Sequence, residues 1–281
     1  MERILHQRLF LIDFVLKVLL SLFESTFPAV HSFPMLFSLN NLRVVLVAPR
    51  NPLNIGAAAR AMSNFGFMHL RVVNPYEVAF RDAKSAVGAS PVLQSAQEFK
   101  TIAEAIADCA VAVGTTAIRH RQPRQPVKQL PQAARSIAGK LAHANVALLF
   151  GSEKWGLSNE DLSHCHWLLH IPTRGEHQSM NLGQAVAVCL YELIRNQAVK
   201  TPAIGKKDHL ATLDVVERIT QTLLSVLRES EYINPKTGRL AEEKLRRLIR
   251  RMHLEAADAE VLLGMFHKIS WKLGRSGKTK A

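Results

Sequence analysis

Short runs of β-branched and aliphatic residues recur along this chain and alternate with longer stretches that carry apolar residues at helical spacing. The runs predict buried strands at residues 42–47, 70–73, 110–114, 146–150 and 167–171. Helices are predicted at 54–64, with Gly66 as a glycine C-cap, and at 98–108 and 182–195. Strands that alternate with helices predict an α/β fold, in which a parallel sheet is covered by helices on both faces.

Four segments follow the predicted strands and are the candidate site, because ligands of such sheets bind beyond the carboxyl ends of the strands. They span residues 49–60, 115–121, 151–157 and 171–181. They contain neither the dinucleotide-binding glycine fingerprint nor a P-loop. This absence disfavours an ordinary nucleotide-binding α/β enzyme.

The N-terminal 40 residues differ from this regular region. Their apolar stretches are interrupted by Asp13 and Lys17, so they are too short and too charged for a membrane span and only loosely similar to a signal peptide. We interpret residues 1–40 as a non-catalytic extension, with Met35 as a candidate for the true start. No membrane partner is predicted.

The region after the α/β pattern is predicted to be helical. The main domain is assigned to residues 41–199, a linker with Pro202 and Gly205 to 200–208, and a helical extension to 209–281. Helices are predicted there at about 211–229, 240–253 and 255–272.

Charge narrows the choice of partner. Lys and Arg total 36 and Asp and Glu total 23, a formal net charge of +13, while 48% hydrophobic residues are enough for a packed core. A chain this basic is suspected of binding nucleic acid, although a basic surface kept for solubility is the alternative. Three cysteines without CxxC spacing disfavour a disulfide framework and a zinc site, and indicate a cytoplasmic protein. The adjacent His164, Cys165 and His166 are interpreted as packing residues, and no metal is predicted.

One predicted helix of the extension combines two stripes. Its apolar stripe consists of Leu245, Leu248, Ile249 and Met252, and its basic stripe of Lys244, Arg247 and Arg251. A solvated helix face and a phosphate-contacting helix explain the basic stripe equally well.

Three segments carry candidate chemistry. In the first, Asn54 lies at a strand-to-helix turn, where its side chain can cap the helix. Gly56 and the three alanines after it permit close approach of another backbone. Arg60 follows about two helical turns after Asn54. Taken alone, this is equally a tight turn with one surface arginine. The second segment, residues 150–157, places two glycines around a glutamate after a buried strand. The third runs from 171 to 182 and opens an apolar helix with Ser179 and Asn181.

Together these segments resemble the SPOUT-class methyltransferases, and within them the SpoU or TrmH-like ribose 2′-O-methyltransferases. The first family motif matches at Asn54, Gly56 and Arg60, the second at 150–157, and the third at 171–172 with 179–181. Three motifs in the correct order over about 130 residues are a specific signal. The region from residue 214 to 248 is also similar to the C-terminal helical extension of TrmJ-type tRNA methyltransferases.

The resemblance implies a fold, a cofactor and an assembly. The fold is a SPOUT domain with a C-terminal deep trefoil knot, followed by the small helical extension. The cofactor is S-adenosyl-L-methionine, held mostly by backbone groups. By motif position its contacts are Thr115, Thr116, Ala117, Gly151, Ile171, Gln178, Ser179 and Met180. The enzymes are homodimers whose active sites combine groups from both subunits. The apolar interface is expected to include Ala185, Val186, Val188 and Cys189.

The resemblance also implies roles and a substrate. Arg60 acts on the ribose 2′-oxygen, either as base or as electrostatic stabiliser, with Asn54 positioning it or the ribose and Ser179 at the reacting centre. The extension indicates tRNA, at cytidine or uridine 32 of the anticodon loop. Candidate RNA contacts are Arg119, Arg121, Arg124, Lys244, Arg247 and Arg251. A ribosomal RNA methyltransferase of the same fold and a non-catalytic RNA-binding protein remain alternatives.

Overall fold

A computed structural model describes residues 38–85, 90–117, 123–174, 179–195, 209–233 and 238–278. The strands within these ranges are β1 Leu42–Val47, β2 Leu70–Val73, β3 Gln97–Phe99, β4 Val111–Thr116, β5 Val127–Gln129, β6 Val146–Phe150 and β7 Trp167–His170. The helices are α1 Pro52–Asn64, α2 Glu77–Ser85, α3 Pro91–Gln94, α4 Ile102–Ala105, α5 Leu130–Leu141, α6 Asn159–Ser163, α7 Leu182–Arg195, α8 Leu213–Glu229, α9 Gly238–Arg251 and α10 Ala256–Lys278. Residues 1–37 and the predicted linker 200–208 lie outside the described residues.

The seven strands form one sheet in the order β3-β2-β1-β6-β4-β7-β5. Every neighbouring pair is parallel, so the predicted α/β class with a parallel sheet is confirmed. Strands β1, β2 and β3 extend the sheet in one direction. The chain then crosses to the other side of β1, where β4 lies next but one to β1 and β6 later fills the position between them. Sheets of this kind open a crevice at the carboxyl ends of the strands where the order reverses. The ends of β1, β6, β4 and β7 therefore meet at one edge.

Both faces of the sheet are buried, as its mostly apolar central strands require. Alternate residues of β1 point to opposite faces: Val44 and Leu46 join the core under α1, α5 and α7, whereas Val45 and Val47 join the core on the other face. Within the described residues, no helix is long and apolar enough to span a membrane.

The predicted helix at 98–108 is wrong over most of its length. Its first residues belong to the edge strand β3, and only Ile102–Ala105 is helical. The Thr101 side chain accepts a hydrogen bond from the Glu104 backbone N–H at 3.2 Å, so the helix starts at Ile102, four residues later than predicted. The edge strand β5 was not predicted, because its three residues are partly exposed and carry no hydrophobic run.

Helix α1 begins at Pro52, not at Asn54. Asn51 is the N-cap, and its side chain accepts a hydrogen bond from the Leu53 N–H at 2.9 Å. The predicted capping role of Asn54 is therefore wrong, and the Asn54 side chain is available for other partners. The predicted glycine at the other end is confirmed, because Gly66 follows the C-cap with a φ of +78°.

Helix α7 packs closely on α1 through Gly183. A Cβ added to Gly183 would lie 2.6 Å from the Ala57 Cβ, whereas one added to Gly56 would meet nothing within 4 Å. The predicted close approach of another backbone to α1 is therefore present, but Gly183 of α7 permits it, and Gly56 does not. Val186 and Cys189 are buried in the chain's own core, so the prediction that they form an intersubunit surface is wrong.

The helical extension is joined to the sheet domain by backbone and core. At the start of α8, the N–H of Leu213 donates to the Cys109 carbonyl at 2.8 Å, and that of Asp214 donates to the Ala107 carbonyl at 3.1 Å. The Leu213 side chain is buried in the same core as Cys109 and Leu162.

Helix α9 carries arginines on its buried side. Arg246, Arg247 and Arg250 are at most 8% exposed, while Leu248 and Met252 are about half exposed. The predicted apolar stripe is thus only partly correct, since of its members Leu245 and Ile249 are buried and the other two are not. A distant carboxylate makes this arrangement possible by neutralising the inward charges.

That carboxylate is Glu217 of α8. Arg246 donates to it with Nε at 3.1 Å and Nη2 at 3.0 Å, and Arg250 donates with Nη2 at 3.4 Å. Burial raises the pKa of Glu217, but the hydrogen bonds and charge of Arg246 outweigh burial and bring it to about 2. Arg246 also donates to the Ser163 hydroxyl of α6 at 3.2 Å, so the cluster links the extension to the sheet domain.

Two histidines beside this cluster make stability depend on pH. Burial, helped by neighbouring arginines, lowers the pKa of His164 and of His166 to about 3. Both rings are therefore neutral in the folded protein and protonate near pH 6.5 when unfolded. Their contribution is complete above about pH 6.5 and is lost as the pH falls toward 3, at about 1.4 kcal/mol per pH unit for each ring.

We expect urea unfolding between pH 6.5 and 5 to show a free energy of unfolding that decreases with acidification. The window lies above the range where Glu217 protonates, so the histidines dominate it. His166→Phe should reduce the slope by about half relative to wild type. An unchanged slope in that variant would contradict the assignment.

Candidate active site

A cavity of about 560 Å³ opens at the carboxyl ends of β4, β6 and β7. It is lined by the chain that follows each of these strands and by the start of α7. Of the eight residues that the resemblance assigns to the cofactor, seven line it: Thr115, Thr116, Ala117, Gly151, Ile171, Ser179 and Met180. Gln178 lies outside the described residues. The structure thus brings the predicted set together in one place.

The loop after β6 owes its shape to two glycines. A Cβ on Gly151 would lie 2.0 Å from the carbonyl carbon of Gly156 and 2.1 Å from the Leu157 nitrogen, so no side chain fits there. Gly156 has a φ of +66°, and its N–H donates to the Ser152 carbonyl at 2.8 Å. The result is a tight turn that closes one wall of the cavity.

Gly151→Ala is therefore expected to break this turn and to weaken binding of the cofactor that the resemblance implies by at least about tenfold, because the added methyl must displace backbone. Calorimetric titration with S-adenosylmethionine measures the effect. Gly139→Ala is the control, because a Cβ at Gly139 meets nothing within 4 Å. Wild-type affinity in Gly151→Ala would refute the packing argument.

One hydrogen-bonded chain connects the three predicted motifs. The Asn54 amide donates to Glu153 Oε1 at 3.1 Å, and the Asn181 amide donates to Asn54 Oδ1 at 2.7 Å. Asn181 Oδ1 in turn accepts from the Gly183 N–H at 2.9 Å, which caps the start of α7. Asn54 is thus held from both sides, and its amide orientation is fixed by a carboxylate acceptor.

Glu153 is the residue that sequence reasoning assigned no role. Besides Asn54, its carboxylate accepts from the backbone N–H groups of Arg50 and Asn51, each at 3.2 Å. Burial raises the pKa of Glu153, but the hydrogen bonds that it accepts outweigh burial, and the net pKa is lowered. An ionised Glu153 therefore ties the loop after β1 to the loop after β6. The sequence signal that could have indicated a role for Glu153 is its position between Gly151 and Gly156.

Arg60 stands apart from the cavity. It is exposed on α1, six residues after Asn54, and is not among the cavity-lining residues. Among the residues that the structure describes, it has no hydrogen bond or ion pair. Its guanidinium is therefore available for a phosphate or a ribose oxygen. Ser179, by contrast, lies in the cavity wall itself.

The predicted RNA contacts differ in accessibility. Lys244 and Arg251 are exposed on α9, as an RNA contact requires. The placement of Arg247 on that exposed stripe is wrong, because its side chain is 9% exposed and donates to Glu243 at 3.4 Å. Arg119 and Arg121 lie outside the described residues. No group of three or more His, Cys, Asp or Glu that could hold a metal is present in the described part of the chain.

Comparison with known proteins identifies the class. The model of the SpoU rRNA Methylase family matches residues 41–191. The tRNA (cytidine/uridine-2′-O-)-methyltransferase TrmJ of Cronobacter sakazakii is 35% identical over 237 residues, which cover 82% of this chain and 96% of the relative. The protein of the same name from Yersinia pestis is 36% identical over 82% of this chain and 92% of its own length.

Solved structures agree with this result. The crystal structure of TrmJ from Z. mobilis ZM4 superimposes with a TM-score of 0.70 at 32% identity, covering 81% of this chain and 98% of that one. A probable methylase family protein from Haemophilus influenzae gives a TM-score of 0.51 at 27% identity, covering 85% and 100%.

The chain therefore belongs to the SpoU methylase family and is a methyltransferase. Within that family, the relatives that match it along most of its length carry the name TrmJ.

Proposed function

We propose that this protein transfers the methyl group of S-adenosylmethionine to the ribose 2′-hydroxyl of cytidine or uridine 32 in the tRNA anticodon loop. The observation that carries the proposal is the chain from Glu153 through Asn54 to Asn181 beside the cavity, which assembles the three family motifs at one edge of the sheet. Relatives named for this reaction on cytidine and uridine support it along 82% of the chain.

The cavity fits the proposed cofactor. Its volume of about 560 Å³ lies within the usual range for small-molecule sites, and its wall combines apolar side chains with backbone from three loops. When bound, S-adenosylmethionine supplies an electrophilic methyl group on a sulfonium. The chain's own residues then have two tasks, which are to hold the ribose in line with that methyl and to stabilise the oxygen as its proton leaves.

We assign the second task to Arg60. A guanidinium is hard to deprotonate, which favours electrostatic stabilisation of the developing alkoxide over general-base catalysis. Asn54 would orient the ribose, because its amide is fixed between Glu153 and Asn181. Ser179 would contact the reacting centre from the cavity wall.

We further propose that the protein works as a homodimer with the trefoil knot of the SPOUT fold. Arg60 does not line the cavity of its own chain, which supports a composite site in which Arg60 reaches the partner's cavity. The sheet order supports the knot, because β6 and β7 come late in the sequence and yet lie inside the sheet. There β6 lies between β1 and β4, and β7 lies between β4 and β5. A tRNA substrate also supports a cytoplasmic location.

The decisive experiment is methylation of an unmodified tRNA transcript by the purified protein, followed by mass mapping of the modified nucleotide. We expect one methyl group on the ribose of nucleotide 32. The matching family model is named for ribosomal RNA, so ribosomal RNA is the second candidate substrate. If the protein methylates ribosomal RNA and leaves the tRNA anticodon loop unmodified, ribosomal RNA is the substrate.

Exposed basic residues of α9 are expected to contact RNA phosphates. Lys244→Ala combined with Arg251→Ala should weaken tRNA binding and lower the slope of log affinity against log salt by about 0.7–0.9 for each phosphate that is no longer neutralised. Filter binding from 50 to 200 mM salt measures both quantities. Arg81→Ala on α2, also an exposed arginine, is the control. An unchanged salt dependence of tRNA affinity would show that these residues of α9 form a solvated face without RNA contacts.

A further inference from the structure

An exposed tryptophan lies at the wall of the cofactor cavity. Trp155 lines the cavity and yet is 69% exposed to solvent. A single exposed aromatic side chain is ordinary, but one at the wall of a binding cavity offers a large flat surface that a ligand can cover. Its position points to a ligand that covers it only when the substrate is present.

The backbone holds this indole in a defined place. Trp155 lies in the turn closed by Ser152 and Gly156, and its own N–H donates to the Ser152 hydroxyl at 3.3 Å. Gly151 packs directly against the far side of the same turn. Recognition residues on such rigid turns lose little conformational freedom on binding.

The reaction brings a nucleobase to this point. A ribose oxygen must come within about 3–3.5 Å of the methyl carbon, so the target ribose enters the same cavity that Trp155 lines. The base is attached to that ribose and therefore arrives at the rim. Lys154 Nζ lies over one face of the Trp155 ring, 4.9 Å from its centroid, so a base would stack on the opposite face.

We propose that Trp155 is the platform on which the base of the target nucleotide stacks, and that it thereby determines substrate recognition. The inference rests on the proposed function. RNA-binding proteins commonly recognise unpaired loop bases by stacking them on aromatic side chains. Stacking depends on the face of a base and is tolerant of its identity, so such a platform accommodates cytidine and uridine alike.

Two variants test the role. Trp155→Ala should lower kcat/KM for the tRNA by about 5- to 150-fold, the strength of one base–aromatic stack. Trp155→Phe should recover most of the loss, because it restores a flat aromatic face. Both variants are compared with wild type at saturating S-adenosylmethionine, because Trp155 lines the cofactor cavity and its replacement also changes cofactor binding. Trp271→Ala is the matched control, since Trp271 is also exposed, at 53%, but lies on α10.

An anticodon stem-loop that lacks only the base of the target nucleotide separates stacking from other effects. On this probe, wild type should lose about as much kcat/KM as Trp155→Ala loses on the intact stem-loop, and Trp155→Ala should lose nothing further. Indole fluorescence in a Trp271→Phe background should be quenched by the intact stem-loop and not by the abasic one.

Three results would overturn the proposal. They are full activity of Trp155→Ala, a loss that disappears once S-adenosylmethionine is saturating, and a ratio of wild-type to Trp155→Ala activity that is the same on the intact and the abasic stem-loop. Indole fluorescence that the intact stem-loop leaves unchanged would overturn it as well, and that measurement needs no Trp155 variant. Methylation of the intact transcript by wild type tests the proposed function separately, so the two failures are distinguishable.

Discussion

Arg60→Ala is expected to reduce tRNA methylation by at least about 100-fold, the usual effect of removing a preorganised group that stabilises transition-state charge. Affinity for S-adenosylmethionine should be unchanged, because Arg60 does not line the cavity. Stability should also be unchanged, because the side chain is exposed. Single-turnover methylation and calorimetric titration measure the two functional quantities.

A second arginine on the same protein provides the control. Arg81→Ala, on the exposed face of α2, removes the same charge from the chain and should retain activity. Arg60→Lys should recover only part of the activity, since an ammonium keeps the charge but not the planar donor geometry. Full activity in Arg60→Ala would refute the assigned role.

The proposed composite site gives a second test of the Arg60→Ala variant. If Arg60 serves the partner's cavity, mixing Arg60→Ala with Gly151→Ala after unfolding and refolding together should restore part of the activity, because a mixed dimer has one site free of both defects. Two variants that stay inactive when combined would place Arg60 and Gly151 in the site of one chain.

Glu217→Gln is expected to lower the free energy of unfolding by about 3–5 kcal/mol, which is the cost of leaving buried charge without its partner. Arg246 and Arg250 both donate to Glu217, and their side chains are 6% and 1% exposed. Burial lowers the pKa of Arg250 to about 10, so it is still charged at neutral pH. Chemical denaturation at pH 7.5 measures the loss.

The control is an ion pair of similar length at the surface. Glu160 pairs with Arg239 at 2.6 Å, and both side chains are at least half exposed. Glu160→Gln should therefore cost about 0–1 kcal/mol. Equal effects of the two substitutions would show that the buried cluster contributes no more than a surface pair.

The sequence was sufficient for the parts of the fold that depend on local pattern. Strands β1, β2, β6 and β7 are mostly apolar runs. Because the carboxyl ends of parallel strands share an edge, the convergence of the motifs followed from their order. Choosing between Asn51 and Asn54 as the cap required coordinates, because both residues suit that position chemically.

Non-local contacts account for most of what the sequence did not predict. The arginines of α9 turn inward because Glu217, 29 residues before Arg246, supplies the opposing charge, and helical periodicity contains no information about that partner. Glu153 was placed in the site by its glycines, but its contact with Asn54, 99 residues earlier, is set by the sheet order. The roles of Arg60 and Ser179 remain predictions.

The attachment of α8 matters for anyone who exchanges modules between related enzymes. Leu213 fills the core of the sheet domain, and the first backbone N–H groups of α8 pair with the carbonyls of Cys109 and Ala107. A chimera cut before residue 209 would leave a hole in the recipient where Leu213 belongs. The natural seam for grafting a foreign RNA-recognition module therefore lies after Asp214, inside the helix, and not in the preceding segment.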